Sequence, residues 1–246
     1  TYDRDAGVQV AVALKLMDLI GGSVTPGRVL EIGCGTGLLT RLLADRFPQA
    51  HIEAIDIAPK AVDIARRRLA GHGNVEFLVE DAMTFRSSTP YRLVTSSTTL
   101  HWISPLDSLF RHLAGLVEKD GRIVFAMMVR GTLLELHESR RRVVRGKPVS
   151  AALPRSEEAI AALGSAGFRV TESREEAVQM TYPSVTELLY SLHRLGVTGG
   201  AISSSGVPLN RTELTGLIAD YTSQFSAAKG GVYATYRTLY AAAAPR

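Results

Sequence analysis

The sequence predicts an α/β fold, a seven-stranded, mostly parallel sheet with helices on both faces and a helical lid. Three observations carry this. Short apolar runs alternate with helical patterns from about residue 28 to residue 128, which is the rhythm of successive βαβ units. The connections between them are short, as right-handed crossovers onto one sheet require. A glycine-rich turn, VLEIGCGTGLLT at residues 29–40, follows the first of these runs and leads straight into a helix.

In chain order, residues 1–20 form a helix, because Val8, Val12, Leu16 and Leu19 or Ile20 fall at helical spacing. GGSVTPG is a turn, and RVLEI is the first strand. Leu38 to Phe47 is helical. HIEAID is the second strand, and Pro59 opens a helix that runs to about Leu69. VEFLVE and YRLVTSS are the third and fourth strands. SPLDSLFRHLAGLVE is a helix with Ser104 at its N-cap and Pro105 at its first position. KDGRIVFAMM turns into the fifth strand. Residues 131–147 are helical and basic. SEEAIAALGSAGF is a helix capped by Ser156, FRVTESREEAVQM is the sixth strand, and GVYATYRTLYAAA is the seventh. The expected organisation is one domain over residues 1–246. Its core covers about 22–130, 156–180 and 228–243, its N-terminal helix 1–20, and its lid insertions about 131–153 and 183–225.

Composition narrows the function. With 46% hydrophobic and 21% charged residues the chain can bury a core and does not read as disordered. No apolar run reaches the ~18 residues of a membrane span. No signal peptide opens the chain, so a cytoplasmic location is expected. Cys34 is the one cysteine, which excludes an intrachain disulfide and any multi-cysteine metal site. It is expected to be a small buried residue, and no metal is expected. The net charge of +4 is too mild to demand nucleic acid. A basic run stands out in Arg140, Arg141, Arg142, Arg145 and Lys147. It is either a solvated helix face or a docking patch for an acidic partner.

The glycines decide the ligand class. A dinucleotide turn needs G-x-G-x-x-G, and its third glycine would stand where Leu38 is. No Gly-Lys-Ser/Thr follows, so the turn is not a P-loop either. Instead Gly33, Gly35 and Gly37 form G-x-G-x-G after a strand that ends in Glu31 and Ile32. This pattern resembles the class I S-adenosylmethionine-dependent methyltransferases. The resemblance implies a Rossmann-like fold, S-adenosylmethionine as cofactor and S-adenosylhomocysteine as product. It implies that Asp56, at the end of the second strand, accepts from the ribose hydroxyls. It also implies that Asp81 faces the adenine amino group and that the Ala82 N–H serves a ring nitrogen. Glu31, Ile57 and Ser97 complete the implied cofactor set. Each aspartate has a plain alternative as a helix cap.

A narrower resemblance runs nearly end to end. TYDRDAGVQ, LEIGCGTG, SSTTLHWI, GTLLELHESR, SLHRLGVTGG and YATYRTLYAAA are similar to stretches of the malonyl-acyl-carrier-protein O-methyltransferases of biotin biosynthesis. That family methylates the free carboxyl of a malonyl thioester on acyl carrier protein. The resemblance therefore implies acyl carrier protein as partner, with malonyl-coenzyme A as a further carrier, and neither nucleic acid nor membrane. A carboxylate nucleophile needs no general base, and the core motifs contain no obvious one. Tyr2 and Gln9 match the family's N-terminal motif as cofactor or lid contacts. His101, Trp102 and Tyr2 are the positioning candidates, with Trp102 equally suited to core packing. His137, Arg141, Arg145, Arg155 and His193 are the candidates for acceptor or carrier-protein contact. Arg155 is among them because a bidentate donor suits a carboxylate. His101 stands where the family often has Gln, and His193 where it often has Lys. The open alternatives are a small-molecule carboxyl methyltransferase of the trans-aconitate type and a non-catalytic S-adenosylmethionine-binding protein. A nicotinamide dehydrogenase stands against Leu38.

Overall fold

The structure, a computed structural model, describes residues 7–21, 27–144, 147, 153–194 and 209–246. Helix α1 (Gly7–Ile20) buries Val12, Leu16 and Ile20, the stripe its spacing predicts. Then come β1 (Arg28–Ile32), α2 (Leu38–Arg46), β2 (His51–Asp56), α3 (Pro59–Arg68), β3 (Val75–Val79) and β4 (Tyr91–Ser97). A short 3-10 turn (Leu100–Trp102), α4 (Leu106–Ala114) and β5 (Val117–Met128) follow. The chain continues through α5 (Leu134–Val143), α6 (Ser156–Ser165), β6 (Phe168–Tyr182), α7 (Val185–Arg194), α8 (Arg211–Gln224) and β7 (Val232–Pro245).

The seven strands lie in the order β3-β2-β1-β4-β5-β7-β6. Strands β1 to β5 pair in parallel, with Ile32 opposite Ile55, Asp56 opposite Val79, and Glu31 opposite Thr95. Central strands of such a sheet are covered on both faces, so their runs are continuously apolar. Val29, Leu30, Ile52, Ala54 and Val94 are fully buried accordingly. The order reverses between β1 and β4. The carboxyl ends of those two strands therefore diverge into the crevice where open α/β sheets bind ligands.

The chain divides into two compact units. The larger holds Gln9–Met127, Arg155–Glu175 and Leu239–Arg246. The smaller holds Thr1–Val8, Met128–Pro154 and Glu176–Thr238. In the smaller unit α5 packs on α8. Arg142 grips Asp220 with Nε and Nη2 (2.8–3.1 Å) and lies over the Phe225 ring (5.5 Å). Buried Glu135 accepts from the backbone N–H (3.0 Å) and the hydroxyl of Thr235. No helix among the described residues is long and apolar enough to cross a membrane.

Three helices begin or end elsewhere than expected. Helix α4 is capped by Pro105, not Ser104, and ends at Ala114. The GLVE stretch does not extend it, because Leu116 O accepts from Tyr91 N (2.8 Å) and Val117 pairs with Tyr91. The basic helix starts only at Leu134. Before it, Val129 N donates to Arg237 O (3.0 Å) and Leu133 N to Thr235 O (2.7 Å), so this stretch is bonded to β7. Helix α6 has Arg155 at its cap. The Arg155 N–H donates to Glu158 Oε2 (2.9 Å), while the Ser156 hydroxyl turns to Glu175 (2.6 Å).

Gly37 caps α2 at φ +86°, and a Cβ there would stand 2.9 Å from Leu69 Cδ1 and 3.3 Å from Ala65 Cβ. Close packing of α2 on α3 thus accounts for this glycine. Gly37→Ala is expected to destabilise the fold by about 1–3 kcal/mol, read from urea unfolding midpoints. An unchanged midpoint would contradict the close packing.

Candidate functional site

The turn after β1 is bonded to the end of β2. Gly33 N and Cys34 N both donate to Ile55 O, at 2.8 and 3.0 Å. Asp56 then holds two backbone N–H groups with one carboxylate: Gly35 N on Oδ2 and Ala58 N on Oδ1, each at 2.8 Å. Gly35 sits at φ +53°, and a Cβ on it would meet nothing within 4 Å. Among the described residues no side chain fills the space beside it, so a ligand can approach the backbone there. Cys34 turns the other way and packs with Ala54, Val62, Ala65, Leu69 and Phe77. Burial pushes its thiol pKa up, so it is an inert core residue.

The neighbouring strand ends complete a wall. Ile57, just past β2, is 69% exposed, an unusual state for an isoleucine at the head of a sheet. Past β3, Asp81 Oδ1 accepts from Met83 N (2.8 Å), and Ala82 is buried beneath it. Past β4, Thr98 holds φ +54°, a conformation that costs a β-branched residue about 1–3 kcal/mol. The Thr99 hydroxyl donates to Gly33 O (3.2 Å), tying the β4 end to the glycine turn. Buried His101 stands against half-exposed Trp102, ring centroids 4.9 Å apart. Burial drives the His101 pKa down to about 3, so the ring is neutral.

Glu31 is 1% exposed, and among the described residues its Oε2 has no hydrogen-bond partner. Burial pushes its pKa up to about 8; the Thr40 hydroxyl pulls it down and the Asp56 charge pushes it further up. A buried acceptor without a partner is rare. Gln9 Oε1 on α1 is a second one.

A methyltransferase-domain family model matches residues 29–121, the stretch that carries β1 to β4 and this turn. A malonyl-(acyl-carrier protein) O-methyltransferase of Geobacter sulfurreducens is 32% identical over 248 residues, covering 97% of this chain and 92% of the relative. The chain belongs to the malonyl-(acyl-carrier protein) O-methyltransferase family. A member from Ilyobacter polytropus is 37% identical over 139 residues, 56% of this chain and 52% of that one. The fold is also that of a Haemonchus contortus phosphoethanolamine N-methyltransferase solved with S-adenosylmethionine. The TM-score is 0.58 at 19% identity, over 95% of this chain and 52% of that one.

Members of this O-methyltransferase family use S-adenosylmethionine, and the residues present fit it. The orphaned Glu31 oxygen offers an acceptor to a cationic ammonium, which the cofactor's methionine part carries. Such a cation would also favour the ionised carboxylate. The space beside Gly35 would admit a ligand backbone-close, and exposed Ile57 would give an adenine face apolar cover.

The structure brings together at adjacent strand ends Glu31, Gly33, Gly35, Gly37, Asp56, Ile57, Asp81, Ala82, Ser97, His101 and Trp102. Within that group Gly37 has its packing role, and Asp56 is a clamp on the turn as well as a ribose candidate. Tyr2 and Arg145 lie outside the described residues. Arg155 is exposed at the cap of α6, and His193 is exposed on α7. His137 and Arg141 lie on α5 in the smaller unit. Burial first, then Arg141 and Arg140, lower the His137 pKa. Sequence reasoning missed Thr99, whose only signal was its place in SSTTL, and Thr40, which reads as an ordinary helix residue.

Glu31 keeps a proton in the folded chain at pH values where the unfolded chain has lost it. Its stabilising contribution is full below pH 4.5 and is lost as pH rises to about 8. The ligand-free protein should therefore lose up to about 1.4 kcal/mol per pH unit across that window. Glu31→Gln should remove this slope. Parallel stability profiles for the two proteins, from urea unfolding at each pH, would contradict it.

Proposed function

We propose that this chain transfers the methyl group of S-adenosylmethionine to the free carboxyl of a malonyl thioester on acyl carrier protein, giving the methyl ester. The observation that carries this reading is the 32% identity to a named malonyl-(acyl-carrier protein) O-methyltransferase over 97% of the chain. A chance or domain-only match would be confined to the cofactor half, whereas this one extends through residues 131–153 and 183–225, where a substrate-choosing lid is expected.

When bound, the cofactor supplies a sulfonium methyl with a neutral leaving group. The chain's own residues have four tasks. Asp56 fixes the glycine turn and keeps further acceptor capacity for two ribose hydroxyls. Asp81 and the Ala82 N–H read the adenine edge, with Ile57 against its face. Glu31 holds the ammonium end. Trp102 and neutral His101 wall the end of β4 and exclude water from the reacting groups. No proton acceptor is needed, because the acceptor carboxylate arrives ionised. Catalysis is then chiefly positioning.

The carrier protein is acidic, and the basic run Arg140 to Lys147, at and beyond the end of α5, is its proposed docking face. Two of its cations serve the chain itself: Arg142 pairs with Asp220, and Lys147 with Glu213. Arg141 is exposed, and among the described residues its Nε reaches the His137 carbonyl alone (3.4 Å). Docking is therefore proposed for Arg141, with Arg145, which lies outside the described residues, retained as the sequence's second candidate.

Mass spectrometry of malonyl-acyl-carrier protein after incubation with enzyme and S-adenosylmethionine should record one added methyl on the acyl group. No gain, with cofactor binding intact, overturns the substrate reading. Reversing Arg141 and Arg145 to Glu should raise KM for the carrier-protein substrate about three- to tenfold, and the coenzyme A thioester less. Equal effects on both would remove the docking role.

A further inference from the structure

Helix α5 carries two arginines with opposite circumstances. The Nε–Nη2 edge of Arg142 is filled by the Asp220 carboxylate. The same edge of Arg140, two residues earlier, is enclosed, and among the described residues neither Nε nor Nη2 has a hydrogen-bond partner. The carboxylate whose charge reaches Arg140 is Glu213. Its Oε2 accepts from Lys147 Nζ and from the Asn210 N–H (2.7 Å), and its charge reaches Arg140 without a hydrogen bond to Nε or Nη2. His137, one turn back, and Arg141 add donors and no acidic group. Guanidinium donors taken out of water and left open are expensive. This edge presents two parallel N–H bonds at the spacing of a carboxylate or a phosphate.

We propose that the Nε–Nη2 edge of Arg140 in the smaller unit binds an oxyanion of the acceptor, either its carboxylate or the phosphodiester of the arm that carries it. The identity of the acceptor rests on the malonyl-thioester reading; the anion site does not. Arg140 is then a specificity residue, distinct from the exposed docking cations around it.

The first test is independent of turnover. Protein labelled with 15N-arginine is titrated with malonate and, separately, with inorganic phosphate. The Nε–H signal of Arg140, assigned by its loss in Arg140→Lys, should shift and saturate with at least one of them. No shift with either anion overturns the proposal. The second test is kinetic, with Arg140→Met and three malonyl thioesters: carrier protein, coenzyme A and N-acetylcysteamine, the last lacking phosphate. A KM rise of at least about tenfold on all three assigns the carboxylate. A rise confined to the first two assigns the phosphodiester. Removing a half-buried guanidinium whose enclosed edge is open should leave the thermal midpoint of Arg140→Met equal to or above that of the parent. A lower midpoint with unchanged KM would make Arg140 structural and overturn the proposal. If the parent enzyme methylates none of the three, the substrate reading fails, and the malonate and phosphate titrations still decide the anion site.

Discussion

The carboxylate of Asp56 is the constraint on which the cofactor site depends. It bonds at once to Gly35 N in the turn after β1 and to Ala58 N at the head of α3. Charge-assisted bonds to backbone N–H groups are stronger than neutral ones. Gly33 N and Cys34 N add bonds to Ile55 O. The glycine turn is therefore held to the end of β2 before any ligand arrives. Thr99 secures the other side of the turn to the end of β4. A site preset in this way spends little binding energy on ordering itself.

Two carboxylates at neighbouring strand ends have different surroundings. Asp56 has N–H donors on both oxygens. Glu31 is deeper, with an orphaned oxygen and a pKa pushed up to about 8. Glu31 can therefore remain neutral until a cation arrives, while Asp56 acts as a fixed acceptor. The smaller unit repeats the theme with cations. Arg142 is satisfied within the chain and holds α5 on α8, while Arg140 is enclosed and open. In both units a group with enclosed, unsatisfied polar atoms stands beside a satisfied one of the same chemistry. The unsatisfied member is the one assigned to ligand.

Much of this was legible in the sequence. The parallel strands were legible because they are buried on both faces and so read as apolar runs. The site was legible because G-x-G-x-G, Asp56 and Asp81 occur in chain order at strand ends. Helix limits were not. Whether GLVE continues α4 or starts β5 depends on Tyr91, some 25 residues away, taking the Leu116 carbonyl. Ser156 matched a capping pattern but found a better partner in Glu175. Gly37 looks the same as Gly35 in sequence, and only the packing of Leu69 and Ala65 tells their roles apart. The contrast between Arg140 and Arg142 was invisible for the same reason, since it depends on an aspartate 78 residues from Arg142.

The most direct test of the preset turn is calorimetry of S-adenosylmethionine binding to the parent protein and to Asp56→Asn and Asp56→Ala. If Asp56 both clamps Gly35 and accepts from the ribose, Asp56→Ala should weaken binding by about 1–3 kcal/mol. Asp56→Asn, which keeps one acceptor oxygen, should fall between the two. Unchanged affinity in a folded Asp56→Ala protein would contradict the account.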